Sequence, residues 1–400
     1  MSVNTMTFEQ SAAFLTALYQ EATGQQPTIQ IASTQDFTTV GTTLLQTGYD
    51  PIIGALSQVL NKTIFSIRPY AQKFKDLNVT EEKWGAITRK INFIDSALDS
   101  NDERLTLVDG ASIDPFIVKK PKVVQTNFYG ATEYQDHVTI FKDQLDSALK
   151  DAAQFGSFIS GILQNIKDKF AQIREAEARG ILANFIATKY GYDTANAINV
   201  LQKYYDETGV TLTPVNMLDV TNYTAFTRWL AGFIETLKDN MSERSIDYHM
   251  NITGKELMRH TEDRFLRKYM SANIYNHCNT SAAAGLFNEE KVTDSLVKGV
   301  EKVTYWQNKE VPYSVDAKPA YLDTATGNVI DAASDTLVEN IIGVLFDEEA
   351  LGMTTLSTWT APSPFNPAGG YYNIYWHFTQ KTWNDFTENF VLLYAGTVTP

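Results

Sequence analysis

Residues 366–394 read "NPAGGYYNIYWHFTQKTWNDFTENFVLLY". From Phe365 to Gly396 ten residues are Phe, Trp or Tyr, and only Lys381, Asp385 and Glu388 carry charge. Tyr372, Ile374, Trp376 and Phe378 fall at every second position, which puts them on one face of a strand. Tyr371, Asn373, Tyr375 and His377 form the other face. After a turn around "TQKTWND", Phe390, Leu392 and Tyr394 alternate again, with Val391 and Leu393 opposite. The pattern predicts two paired strands buried on both faces or nearly so. A carbohydrate platform would instead expose Tyr371, Trp376 and Trp383, and a membrane wedge would usually carry basic flanks.

Outward from this stretch, composition narrows the class. The chain has 400 residues, 44% hydrophobic and 20% charged, which is globular composition. Its formal net charge of −14 argues against general nucleic-acid affinity, since gripping phosphates takes clustered Lys and Arg. A single cysteine, Cys278, leaves no intrachain disulfide and suits a reducing compartment. The first residues lack the basic and apolar regions of a signal peptide. No run reaches the roughly 18 apolar residues of a spanning helix.

Towards the N-terminus, helical spacing predicts helices near 7–22, 35–46 and 51–61, read as a loosely attached arm. Residues 84–95 and 116–130 read as two long strands with a polar, acidic connection, an extended hairpin. Lys119, Lys120 and Lys122 are residues an unpaired edge uses against aggregation. Such a hairpin is marginal in water and needs another surface. The strongest helical signal runs from about Lys142 to Tyr190, with Gly156 or Gly161 as places to bend or split it. A C-terminal piece of about 30 residues would still span roughly 45 Å. Residues 194–345 alternate, with helices near 194–207, 223–239 and 261–276 and strands at 247–252, 300–307 and 340–347. The fold class is α+β.

Chemistry-bearing motifs are sparse. Phosphate-cradling loops, a nucleophile elbow and a zinc-protease helix signature are all missing. No two of the five histidines share a close metal spacing, and His277-Cys278 reads as a helix terminus rather than a ligand pair. No catalytic, cofactor or metal residue is assigned. An α+β hydrolase using carboxylates stays as an alternative, as does a carbohydrate-binding protein with an aromatic platform.

The order arm, hairpin, long helix, mixed domain and returning strands resembles the major capsid proteins of tailed bacteriophages, the Hong Kong 97 fold, and within it those of short-tailed phages. The resemblance is carried by "VLFDEEALG" (344–352) and by 366–394; "GVEKVTYWQN" (299–308) and the helix ahead of "EAEARGILANFIATKYG" (175–191) add to it. It covers roughly residues 64–400.

The resemblance implies an arm over 1–63, an extended hairpin loop over 64–134 and a spine helix of a peripheral domain over 135–192. A mixed axial domain over 193–345 and returning peripheral strands over 346–400 complete it. It implies no enzyme and no cofactor. Copies would assemble into pentamers and hexamers of an icosahedral head around double-stranded DNA, without specific DNA binding and without a membrane. A scaffolding protein, a portal and decoration or head-fibre proteins are the further partners, with assembly in the host cytoplasm. The expected intersubunit contacts are Asp99, Asp102, Glu103, Arg104, Lys119, Lys120 and Lys122. The expected peripheral core is Tyr372, Ile374, Trp376, Phe378, Phe390 and Leu392.

Overall fold

The computed structural model describes residues 6–62, 73–78, 88–94, 102–114, 116, 118, 120–283 and 299–399. In chain order these carry α1 (Phe8–Thr23), α2 (Thr34–Leu45), α3 (Tyr49–Lys62), β1 (Thr88–Phe93), α4 (Asp102–Leu105), β2 (Val123–Phe128) and β3 (Thr132–Phe141). Next come α5 (Lys142–Lys150), α6 (Ala152–Tyr192), β4 (Ala197–Asn199), α7 (Val200–Thr208), α8 (Tyr223–Ser242), β5 (Leu266–Ser271) and α9 (Ala272–Ala283). The remainder is strand: β6 (Val300–Val303), β7 (Val315–Ala317), β8 (Ala320–Leu322), β9 (Val329–Asp331), β10 (Thr336–Val338), β11 (Ile341–Asp347), β12 (Leu351–Pro362), β13 (Tyr371–Asn384) and β14 (Phe390–Tyr394). Two compact units result. The first takes Met1–Ala86, Gly130–Ala178 and Met353–Thr382; the second takes Ile87–Tyr129, Arg179–Gly352 and Trp383–Pro400.

In the first unit, local signals set the helix ends. Thr7 and Gln10 form a capping box on α1, Ser33 and Asp36 another on α2, and Gly24 ends α1 at φ 74°. The expectation of a loose arm is corrected here. Leu15, Leu18, Phe37, Leu44 and Leu56 are fully buried in one core with Leu149, Phe155, Ile159 and Ile374. Hydrogen bonds lock the same contacts: Tyr49 donates to Asp146 at 2.7 Å, and Tyr372 donates to Asp50 at 2.8 Å. Two glycines make the approach possible. A Cβ on Gly41 would lie 2.1 Å from the Leu149 carbonyl oxygen, and one on Gly156 would lie 2.8 Å from Ser11 Oγ.

Gly156 therefore seats α1 rather than breaking the long helix. The break falls at Asp151, which is extended (φ −138°, ψ 123°) and accepts the Ala153 N–H at 3.1 Å through its side chain. Beyond it α6 runs 41 residues, about 60 Å at 1.5 Å per residue. The three-stranded sheet has the order β12-β13-β3, and β13 pairs with β3 from Tyr371↔Phe141 to Gln380↔Thr132. Tyr372, Ile374, Trp376 and Phe378 are buried and their neighbours half-buried. Phe378 lies 4.4 Å from the Phe170 ring. Strand β3 went unseen in the sequence because Asp136 stands on its inner face, where Lys169 neutralises it at 2.7 Å.

The second unit is built on the sheet β4-β14-β11-β5-β6. Every residue of β11 is buried, as are Phe390–Leu393 of β14, which fits inner strands covered on both faces. Helices α7, α8 and α9 share a core with one face of this sheet. Phe185 stacks on Phe390 at 4.1 Å on the other side. A Cβ on Gly343 would sit 2.6 Å from the Tyr269 carbonyl oxygen, so β11 and β5 close up only around glycine.

Three expectations are corrected here. β13 and β14 do not pair with each other, because β14 lies between β11 and β4 in a different sheet. Residues 266–271, expected as helix, form an inner strand paired with β11 and β6; tertiary pairing overrides a helical period carried mainly by charges. Residues 247–252, expected as a strand, are irregular, with bends at Tyr248 and His249 and a single isolated bridge from Ile252 to Lys255.

Candidate assembly surfaces

The first surface is the hairpin. β1 and β2 pair antiparallel from Thr88↔Phe128 to Phe93↔Val123. Alternation sends Lys90 and Asn92 to one face and Ile91 and Phe93 to the other. The second face is open and is apolar at one end, where Ile91 is 57% exposed, Phe93 68% and Val123 49%, while Arg89, Gln125 and Asn127 complete it. The connection adds exposed Leu105, Val108, Phe116 and Val118. Exposed apolar side chains gathered in this way make the hairpin a candidate contact surface.

Of the expected contact residues, Arg104, Lys120 and Lys122 are exposed. Asp102 and Glu103 open the one-turn helix α4. Asp99 and Lys119 lie outside the described residues. The charge-based reading passed over the apolar face, although the alternation in "RKINF" was a signal for it.

The inner face of the hairpin meets an ion cluster. Lys90 Nζ lies 2.5 Å from Glu388, 2.8 Å from Glu349 and 3.1 Å from Asp385. Arg259 pairs with Glu388 at 2.8 Å and donates to Asn92 Oδ1 at 3.2 Å. Burial disfavours the Lys90 charge, yet Asp385 and Glu388 more than offset this and raise its pKa above the ordinary 10.5. Burial of Glu388 outweighs the attraction of Lys90 and Arg259 and pushes its carboxyl up to about 7. Lys90, Asn92, Glu349, Asp385 and Glu388 were not among the expected site residues. Their partners are brought together from distant parts of the chain.

The second surface is the outer face of the three-stranded sheet. Trp359 stacks on His377 at 3.8 Å, and His377 Nδ1 meets Glu133 at 3.1 Å. His137 and Tyr375 approach at 5.2 Å, and Phe141 and Tyr371 at 5.9 Å. Trp376 is only 6% exposed, so the carbohydrate-platform arrangement does not form as expected.

Of the expected core residues, Tyr372, Ile374, Trp376 and Phe378 are buried in the first unit. Phe390 and Leu392 are buried in the second. Among the described residues no group of three or more His, Cys, Asp or Glu could hold a metal ion. His277 Nδ1 meets the Asn273 carbonyl oxygen at 2.8 Å, and burial pushes the Cys278 thiol up to about 12. Among the described residues no helix is long and apolar enough to cross a membrane.

The family model of Phi29-like phage major capsid proteins matches residues 15–394, and the chain belongs to that family. Its fold is shared with a chain in the capsid structure of Staphylococcus phage Andhra, at 11% identity and a TM-score of 0.54 over 84% of this chain and 87% of that one. It is shared also with a chain in the structure of the head fiber and inner core protein gp22 of native bacteriophage P68, at 8% identity and a TM-score of 0.55 over 84% and 87%. No curated protein matches the sequence. The chain is a structural component of a phage virion, one of the copies from which a capsid is assembled, with a fold of the Hong Kong 97 type.

Proposed function

We propose that this capsid subunit forms pentamers and hexamers of an icosahedral head that encloses double-stranded DNA, and that its hairpin clasps a neighbouring copy. The observation that carries the clasp is the open apolar face of Ile91, Phe93 and Val123 in a member of this family. A face that has no cover within its own subunit gains stability when a second copy buries it. Asp99, Asp102, Glu103, Arg104, Lys119, Lys120 and Lys122 are proposed to flank that contact.

We assign the first unit, with the helical N-terminus and the three-stranded sheet, to the peripheral role. The second unit, with the five-stranded sheet, takes the axial role around five- and six-fold centres. Acidic character supports enclosure without binding, since packaged DNA slides past a repelling wall. Assembly in the host cytoplasm with a separate scaffolding protein, a portal and decoration or head-fibre proteins completes the reading. Electron microscopy of the expressed protein, alone and with scaffold, tests it. Closed shells are expected, and a subunit that stays monomeric at high concentration with every partner tried would overturn it.

A further inference from the structure

The two strands of the hairpin rest on different things. On β1 the inward residues Lys90 and Asn92 stand opposite Thr126 and Val124 of β2. Val124 and Thr126 border a recess of about 560 Å³, walled by Ile252, Leu322 and Phe386. Lys90 and Asn92 meet charged partners instead. Lys90 Nζ lies 3.1 Å from Asp385, 2.5 Å from Glu388 and 2.8 Å from Glu349, and Asn92 Oδ1 accepts from Arg259 at 3.2 Å. Strand β2 thus spans a hollow, while β1 is pinned.

The groups that pin it are themselves held in place. The Asp385 N–H donates to the Ala350 carbonyl at 2.6 Å, and the Asp385 carboxylate accepts the Thr387 hydroxyl at 2.6 Å and the Thr387 N–H at 3.0 Å. The Met250 N–H donates to the Phe386 carbonyl at 2.9 Å, and the Phe390 N–H to the Tyr248 carbonyl at 2.8 Å. Arg259 donates to the Thr387 carbonyl at 3.0 Å and pairs with Glu388 at 2.8 Å. The turn carrying Asp385 and Glu388 is therefore a fixed platform, with those two side chains 1% and 7% exposed.

We propose that Lys90 is a positioning residue: its pairs with Asp385 and Glu388 set the direction in which the hairpin leaves the subunit, and so aim Ile91 and Phe93 at the neighbouring copy. The aim at a neighbour rests on the clasp reading above. Charge-assisted bonds to partners that cannot move are directional, so a tilt of the hairpin breaks them. A strand above a hollow lacks the close packing that would otherwise hold one orientation. Without the ammonium, two buried carboxylates share the Arg259 guanidinium alone, and nothing compensates the second. The hairpin then takes several directions. If about a tenth of the subunits still hold it correctly aimed, the apparent affinity between copies falls by that fraction, about tenfold.

The test places spin labels at Val123→Cys and Thr236→Cys, both exposed, in the full-length unassembled subunit; the native Cys278 is buried. A single narrow label-to-label distance is expected in this parent. Lys90→Met is expected to broaden it about twofold while α8 amides stay protected from exchange, and Lys90→Arg, which keeps the charge, to leave it narrow. A broad distribution in the parent, a narrow one in Lys90→Met, or Lys90→Arg as broad as Lys90→Met each overturns the positioning role. Should Lys90→Met fail to fold, Lys90→Gln takes its place with the same outcomes. In unlabelled protein the concentration threshold for shell formation is expected to rise about tenfold in Lys90→Met and to return to the wild-type value in Lys90→Arg. The label distances need no assembly, so they judge the positioning alone, and an unchanged threshold with a broadened distance counts against the clasp.

Discussion

The N-terminal helices and the hairpin look alike in the sequence, as two appendages with weak cohesion, yet they end differently. Helices α1 to α3 bury Leu15, Leu18, Phe37 and Leu56 completely within their own unit. The hairpin leaves Ile91 and Phe93 more than half exposed. A helix of modest length can dock a whole apolar stripe on a neighbouring helix, and Gly41 and Gly156 let two of them come close. A two-stranded ribbon has two faces, and its own subunit reaches only one of them. An appendage is therefore self-sufficient or dependent according to how many of its faces the rest of the chain covers.

The comparison breaks most readily through deletion. Removal of about residues 97–113 is expected to leave a folded subunit that cannot close shells, read by circular dichroism and electron microscopy. Normal capsids from this variant would show that the hairpin is not the clasp. Next in size, Phe37→Ala should destabilise the subunit by about 3–5 kcal/mol in denaturant titration, because its ring is fully buried. A loss under 1 kcal/mol would restore the loose-arm picture.

Gly41→Ala sharpens the point about close approach. The added methyl meets a backbone carbonyl oxygen, so a cost of about 1–3 kcal/mol is expected, measured the same way. Phe93→Ser is the converse case. Its stability should stay within about 0.5 kcal/mol of the wild type, while shell yield falls in sedimentation. The smallest effect concerns Cys278, which is 5% exposed with its thiol pushed up to about 12. It should resist a thiol reagent at pH 8 in the native subunit and react fully in denaturant.

Much of the fold was legible. α1, α2 and α3 lie within two residues of their expected positions at every boundary, because caps and apolar periodicity are local signals. β11 was read correctly, since a continuous apolar run such as "IIGVLF" points to an inner strand. The same reasoning failed at β5, where Arg267 and Lys268 suggested a surface helix. Those charges reach Glu348 at 2.5 Å and Asp263 at 3.4 Å, and the backbone between them serves the sheet. β3 was hidden by Asp136, whose partner Lys169 is 33 residues away.

The contact surfaces were less legible. Hairpin lysines stand out by composition, but the open apolar face follows from which side the subunit covers. The ion cluster joins Lys90 to Glu388 across 298 residues, a separation over which sequence carries no pairing signal.

The aromatic stretch near the C-terminus divides what sequence determines from what tertiary structure decides. Sequence alone determined that Tyr372, Ile374, Trp376 and Phe378 share a buried face, and that Phe390 to Leu393 are buried on both sides. Alternation and apolar runs are properties of neighbouring residues, so they can be read directly. Only tertiary structure decided that the two segments join different sheets, β13 beside β3 and β14 between β11 and β4. Strand partners are chosen by backbone hydrogen bonds and long-range packing, and side-chain pattern is silent about which distant edge will be there to accept them.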